Sequence, residues 1–174
     1  NAEEIYISDL TITRGLNPSI SGYGGGIYLD ESTASLNYVN IINNSAGNSG
    51  MGGGIFSSFS NLYLTNVLIS GNYCNDGVEL NSNFHGQSGG LHLFHSNSEL
   101  SNVIIHDNSA RSSGGLGIEG GNAVLNNVEI SNNVATYDNP AGCINGSGLG
   151  AVLSTSSMIQ TMRLTLNQVT FVNN

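Results

Sequence analysis

A nine-residue pattern, Leu-x-x-Val-x-(Ile/Phe)-x-x-Asn, constrains this chain more than any other feature. Its copies are Leu36/Val39/Ile41/Asn44, Leu64/Val67/Ile69/Asn72, Leu100/Val103/Ile105/Asn108, Leu125/Val128/Ile130/Asn133 and Leu166/Val169/Phe171/Asn174. Ile7/Leu10/Ile12 opens an earlier copy, with Gly15 where the asparagine would fall. A second block keeps step with the first. Gly25-Gly26-Ile27, Gly53-Gly54-Ile55, Gly89-Gly90-Leu91 and Gly114-Gly115-Leu116 each place their apolar residue nine positions before the leucine. Gly150-Ala151-Val152-Leu153 reads as a degraded copy with about six extra residues before Leu166. The copies follow at 29, 28, 36, 25 and 41 residues, and all but that last insertion fall between the asparagine and the next glycine pair. Length therefore varies mainly at one corner. Units that cannot bury an apolar face alone must stack on their neighbours.

Two repeat architectures compete for this pattern. The leucine-rich repeat shares the Leu-x-x-Val-x-Ile-x-x-Asn core but needs a further apolar residue and then a helix or tight turn on its convex side. Ser45-Ala46-Gly47 and Ser109-Ala110-Arg111 supply no helix, and the period is irregular. The better fit is an all-β, right-handed parallel β-helix solenoid of about six coils with three short strands each. The strands expected in one coil are Ile27-Tyr28-Leu29, Ala34-Ser35-Leu36 and Val39-Asn40-Ile41, with turns such as Ser32-Thr33 between. A period of two sends Ile27 and Leu29 inward and Tyr28 outward. There are two bend columns: Asp9, Tyr38, Asn66, Asn102, Asn127 and Gln168, and the asparagines Asn44, Asn72, Asn108, Asn133 and Asn174. Asparagine tolerates the left-handed conformation, and stacked asparagines can hydrogen-bond at the ~4.8 Å strand spacing. The glycine pairs are expected to allow a sharp entry into the next coil. Residues 1–174 read as a single domain, and no cap is visible after Phe171-Val172-Asn173-Asn174. A fragment of a longer array, or a subunit meeting another at an open coil end, is expected.

The chain has 39% hydrophobic and only 9% charged residues, no lysine, and a net charge of -9. Binding of nucleic acid through a basic patch is not expected, nor is attraction to an anionic membrane. No apolar run approaches the roughly 20 residues that cross a bilayer, so direct membrane insertion is not expected. The acidic, asparagine-rich composition suits an extracellular or cell-surface location. No signal peptide is visible, so a secreted protein would have lost it already.

The motifs Gly-Gly-x-Ile/Leu and Ile/Phe-x-x-Asn resemble the Gly-Gly-Ala-Ile and Phe-x-x-Asn repeats of the polymorphic outer-membrane protein family, surface-exposed passenger domains of autotransporter adhesins. More broadly the chain is similar to the parallel β-helix repeats of the pectate-lyase-like superfamily. Here glycine precedes the isoleucine, and isoleucine mostly replaces phenylalanine. The resemblance implies a β-helix in an extracellular setting and an adhesin role.

Candidate chemistry is sparse. Asp30 and Glu119 fall in one outward column with Ser58 and Phe94 between, roughly 14 Å apart, too far for a paired acid and base. No cofactor, catalytic residue or metal site is expected: His85, His92, His95 and His106 do not share one side of a coil, and zinc needs three or four converging ligands. Asp76 and Glu79 lack the spacing of a calcium repeat. The outward column Tyr28, Phe56, His92, Gly117, Val152, flanked by Phe59, Phe94 and His95, is the candidate binding surface, because aromatics in a row stack on sugar rings or anchor a partner. The alternative is an aromatic stack covered by the loop carrying Phe84 and His85. A second outward column, Asn40, Leu68, Ile104 and Glu129, has an apolar middle. Cys74 and Cys143 are disulfide candidates in the two longest corner loops, about two coils apart. These features predict a non-enzymatic structural or adhesive protein whose partner is a glycan or surface protein. Its rivals are a carbohydrate-binding or polysaccharide-active domain and a filament subunit that self-associates through coil ends.

Overall fold

The computed structural model describes residues 4–19, 22–47, 50–74, 87–136, 148–152 and 162–174. Six long strands, β1 (Glu4–Thr13), β4 (Thr33–Ile42), β7 (Asn61–Ser70), β10 (Asn97–His106), β13 (Asn122–Ser131) and β16 (Arg163–Val172), form one sheet in that order. A second sheet stacks β3 (Ile27–Asp30), β6 (Ile55–Ser58), β9 (Leu91–Phe94), β12 (Leu116–Glu119) and β15 (Leu149–Val152). The third holds two-residue strands: β2 (Leu16–Asn17), β5 (Ser45–Ala46), β8 (Tyr73–Cys74), β11 (Ser109–Ala110) and β14 (Val134–Ala135). Successive coils pair in parallel in all three sheets, so the chain is an all-β parallel β-helix.

The strands divide differently from the sequence expectation. Ala34-Ser35-Leu36 and Val39-Asn40-Ile41 belong to one strand, β4, and Ser45-Ala46, read as corner loop, is the third strand. Leu36 and Val39 both face the core although three positions apart, which a regular strand cannot achieve. Tyr38, at φ 53°, resolves this: one left-handed residue turns the chain so that both sides keep their inward residues. Asp9, Asn66, Asn102, Asn127 and Gln168 do the same in the other coils, as expected.

The second bend column corrects the expectation by one residue. The left-handed positions are Arg14, Asn43, Gly71, Asp107, Asn132 and Asn173, each just before the column of Asn44, Asn72, Asn108, Asn133 and Asn174. That column is nonetheless a ladder. Asn44 donates from its backbone N at 2.9 Å and from Nδ2 at 3.0 Å to Oδ1 of Asn72, and Nδ2 also donates to the Ile12 carbonyl at 3.0 Å. Asn72 repeats this on Asn108, Asn108 on Asn133, and Asn133 on Asn174. At Asn72, Asn108 and Asn133 both amide protons and both carbonyl lone pairs are thereby used in a buried column, the condition under which a polar group belongs in a core.

The glycine pairs serve this ladder. A Cβ on Gly54 would stand 2.7 Å from the Gly90 carbonyl oxygen and 3.0 Å from Asn72 Nδ2. The left-handed entry lies just before the pair, at Gly24, Gly52 and Ser88 (φ 61°, 67° and 59°). In the fifth copy Gly148 packs on Asn174 and Leu149 pairs with Leu116, so Leu149 begins the strand, two residues earlier than the placement of Val152 in the Tyr28 column implied. Leu36, Leu64, Leu100 and Leu125 stack with the matching valine and isoleucine columns into one continuous buried core.

Candidate functional site

The outward column of the second sheet runs Tyr28, Phe56, His92, Gly117 and then Gly150. Val152 pairs with Glu119 instead, which corrects its place in the expected column. The column is also less open than alternation implies. Tyr28 is 52% exposed, but Phe56 and His92 are only 4% and 3% exposed. Their cover comes from the residues just before each glycine pair: Tyr23, Met51 and Gln87 are bridged in parallel across three coils. Tyr23 lies over Phe56 with ring centroids 4.7 Å apart, and Tyr28 and His92 stack on Phe56 at 5.7 and 5.6 Å. Phe56 and His92 therefore form an interior cross-strand stack, with Tyr23 lying over Phe56. Phe84 and His85 lie outside the described residues.

His92 is held by Ser88, whose Oγ is 2.9 Å from Nδ1, while Nε2 has no hydrogen-bond partner among the described residues. Burial alone lowers its pKa to about 4, so the imidazole is neutral at physiological pH. Ser88 holds a left-handed conformation at a position where the two preceding coils use Gly24 and Gly52. A Cβ on Gly117 would come 2.0 Å from Ser88 Oγ, so the serine occupies the space that a side chain there would need. The pair is a packed unit: Ser88 is fully buried and lacks the access a nucleophile requires.

A second group lies at the strand ends. Phe59, 51% exposed, stacks on His95 at 5.2 Å, and Phe94 meets both edge-on at 5.5 and 4.5 Å. Of the six candidate binding residues, Tyr28 and Phe59 are thus well exposed, Phe94 and His95 half-buried, and Phe56 and His92 interior. Between the groups is a cleft of about 230 Å³ lined by Tyr23, Tyr28, Met51, Phe56, Ser58 and Phe94. Tyr23, Met51 and Ser88 were not singled out from sequence. Their signal was present, since each precedes a glycine pair by one or two positions.

Among the described residues the carboxylates do not converge. The register Asp30–Ser58–Phe94–Glu119 keeps Asp30 and Glu119 three rungs apart. Burial pushes the Glu119 pKa up, partly opposed by His95. His106, on the long sheet, pairs with Asp107 at 2.5 Å. Among the described residues no three histidine, cysteine or acidic side chains gather as a metal site would require. Cys74 is a buried strand residue, where a corner loop was expected, with Sγ 3.2 Å from the Ser88 carbonyl oxygen. Cys143, Asp76 and Glu79 lie outside the described residues. On the long sheet, the register Asn40–Leu68–Ile104–Glu129 is as expected, and a cleft of about 270 Å³ lies beside Ile104 and Glu129.

No protein-family model, curated protein or solved structure matches this chain.

Proposed function

We propose that this chain is a non-enzymatic, secreted or surface-displayed β-helix, a structural and adhesive element that meets a glycan or surface protein through the aromatic side of its second sheet. One observation carries the reading: aromatic rings from successive coils gather along this sheet, while its carboxylates stand singly. Exposed rings on a rigid support lose little conformational entropy on contact, which suits an adhesive surface. The likeness of the repeats to autotransporter passenger domains points the same way. The unbroken asparagine ladder makes the support stiff along its axis.

The test is retention of chain-coated beads on a glycan array and on a panel of cell surfaces. Combining Phe59→Ala with His95→Ala removes the exposed stack without touching the buried column. Retention should fall about tenfold or more, the scale of a lost aromatic anchor, with unfolding unchanged. Equal retention by the double variant would overturn the reading.

A further inference from the structure

The cleft between Tyr28 and Phe94 differs chemically from a sugar subsite. Sugars need several fixed donors and acceptors at their hydroxyls. The lining here is four aromatic rings, the Met51 thioether and one nearly buried serine, Ser58. Tyr23, Tyr28 and Phe56 stack on one another, with Tyr28 52% exposed, and the π cloud on an aromatic face is negative. Asp30 stands at the rim. It is paired in register with Ser58 and lies beside the Tyr28 hydroxyl, whose pKa is raised first by burial and then by Asp30 and Tyr23. Glu31 is next in the chain, and the whole chain carries -9 with no lysine.

Aromatic faces, a carboxylate at the rim and a negative field together favour a cation over a neutral ligand. The polar groups decide the type of cation. A primary ammonium brings three N–H donors and strong hydration, and loses both in a cleft with so few acceptors. A quaternary ammonium has no donors to satisfy and spreads its charge over methyl groups that fit against rings and thioether. We infer that the cleft formed by Tyr23, Tyr28, Met51, Phe56 and Phe94, with Asp30 at its rim, binds a trimethylammonium group. Its volume of about 230 Å³ suits one such head group rather than a peptide or an oligosaccharide. This deepens the adhesive reading by naming the chemistry that the partner presents.

The probe is choline, set against its uncharged carbon isostere 3,3-dimethylbutan-1-ol and against Nα-acetyl-lysine amide. Met51 is one of only three methionines, so its labelled methyl reports the cleft by NMR. Choline should shift that signal with a Kd on the order of 1 mM, the range of a partly exposed cation–π site, and bind more weakly as salt rises. Tyr28→Phe should bind as the natural chain does. Tyr28→Leu should lose about tenfold, and Asp30→Asn about fivefold. Both replaced positions are exposed, so folding is not at stake. No shift with choline, equal binding of the isostere, or tighter binding of the lysine analogue would each overturn the assignment. If choline fails while adhesion still depends on Phe59 and His95, only this inference falls. If adhesion is insensitive to Phe59 and His95, the broader reading falls, whatever choline does.

Discussion

The two larger sheets present outward residues by the same alternation, yet their outer faces differ. On the long sheet Asn40, Tyr63, Glu99 and Ile104 point outward and are exposed. On the second sheet Phe56, His92 and Gly117 also point outward and are buried. The cause lies in the segments that lead into each coil. Nothing described crosses the long sheet, whereas Tyr23, Met51, Gln87 and Ser88, on the way into each glycine pair, fold across the shorter one. Alternation tells on which side of a sheet a residue stands. Whether that side meets water depends on other segments. The outer side of the second sheet is thus a small second core, and Tyr28 and Phe59 stand exposed at its margin.

The largest test of this contrast is Phe56→Ala. If the face is core-like, removing a ring stacked on Tyr23, Tyr28 and His92 should destabilise by about 3–5 kcal/mol, read by urea unfolding. A change under about 1 kcal/mol would mean the face is open. The buried histidine gives the next effect. Its folded pKa of about 4 lies below the ordinary 6.5, so the unfolded chain binds the extra proton between those values. Stability therefore falls as pH drops from 6.5 to about 4, by about 3 kcal/mol for this group, and levels below that. His92→Phe should flatten that part of the pH profile relative to the natural chain, and an unchanged slope would refute a buried neutral imidazole. The smallest effect belongs to the open face. Ile104→Thr keeps a β-branched residue at a position 42% exposed and should alter stability by about 0.5 kcal/mol or less. A loss near that of Phe56→Ala would show the long sheet to be covered too.

Much of the fold was legible because a solenoid is nearly one-dimensional. Each residue meets its counterpart in the next coil, so repeat alignment alone pairs Leu36 with Leu64 and Asn44 with Asn72. The strand division was harder to read. Leu36 and Val39 are three apart, and a turn between two strands satisfies that spacing as well as a left-handed kink within one. The fifth copy was misplaced because Gly148 is recognised by packing on Asn174, not by a neighbouring glycine.

The candidate residues were legible by type and not by exposure. Tyr28, Phe59, Phe94 and His95 were named from the outward column and its flanks, and the structure leaves them accessible to different degrees. Phe56 and His92 came from the same column and are interior. By itself the sequence determined the coil register outside the fifth glycine block, the inward columns and the asparagine column, since these rest on like side chains repeating at the strand spacing. Only the tertiary structure decided which outward faces meet water. That depends on how Tyr23, Met51 and Ser88 fold back over a neighbouring strand, a contact that strand alternation does not encode.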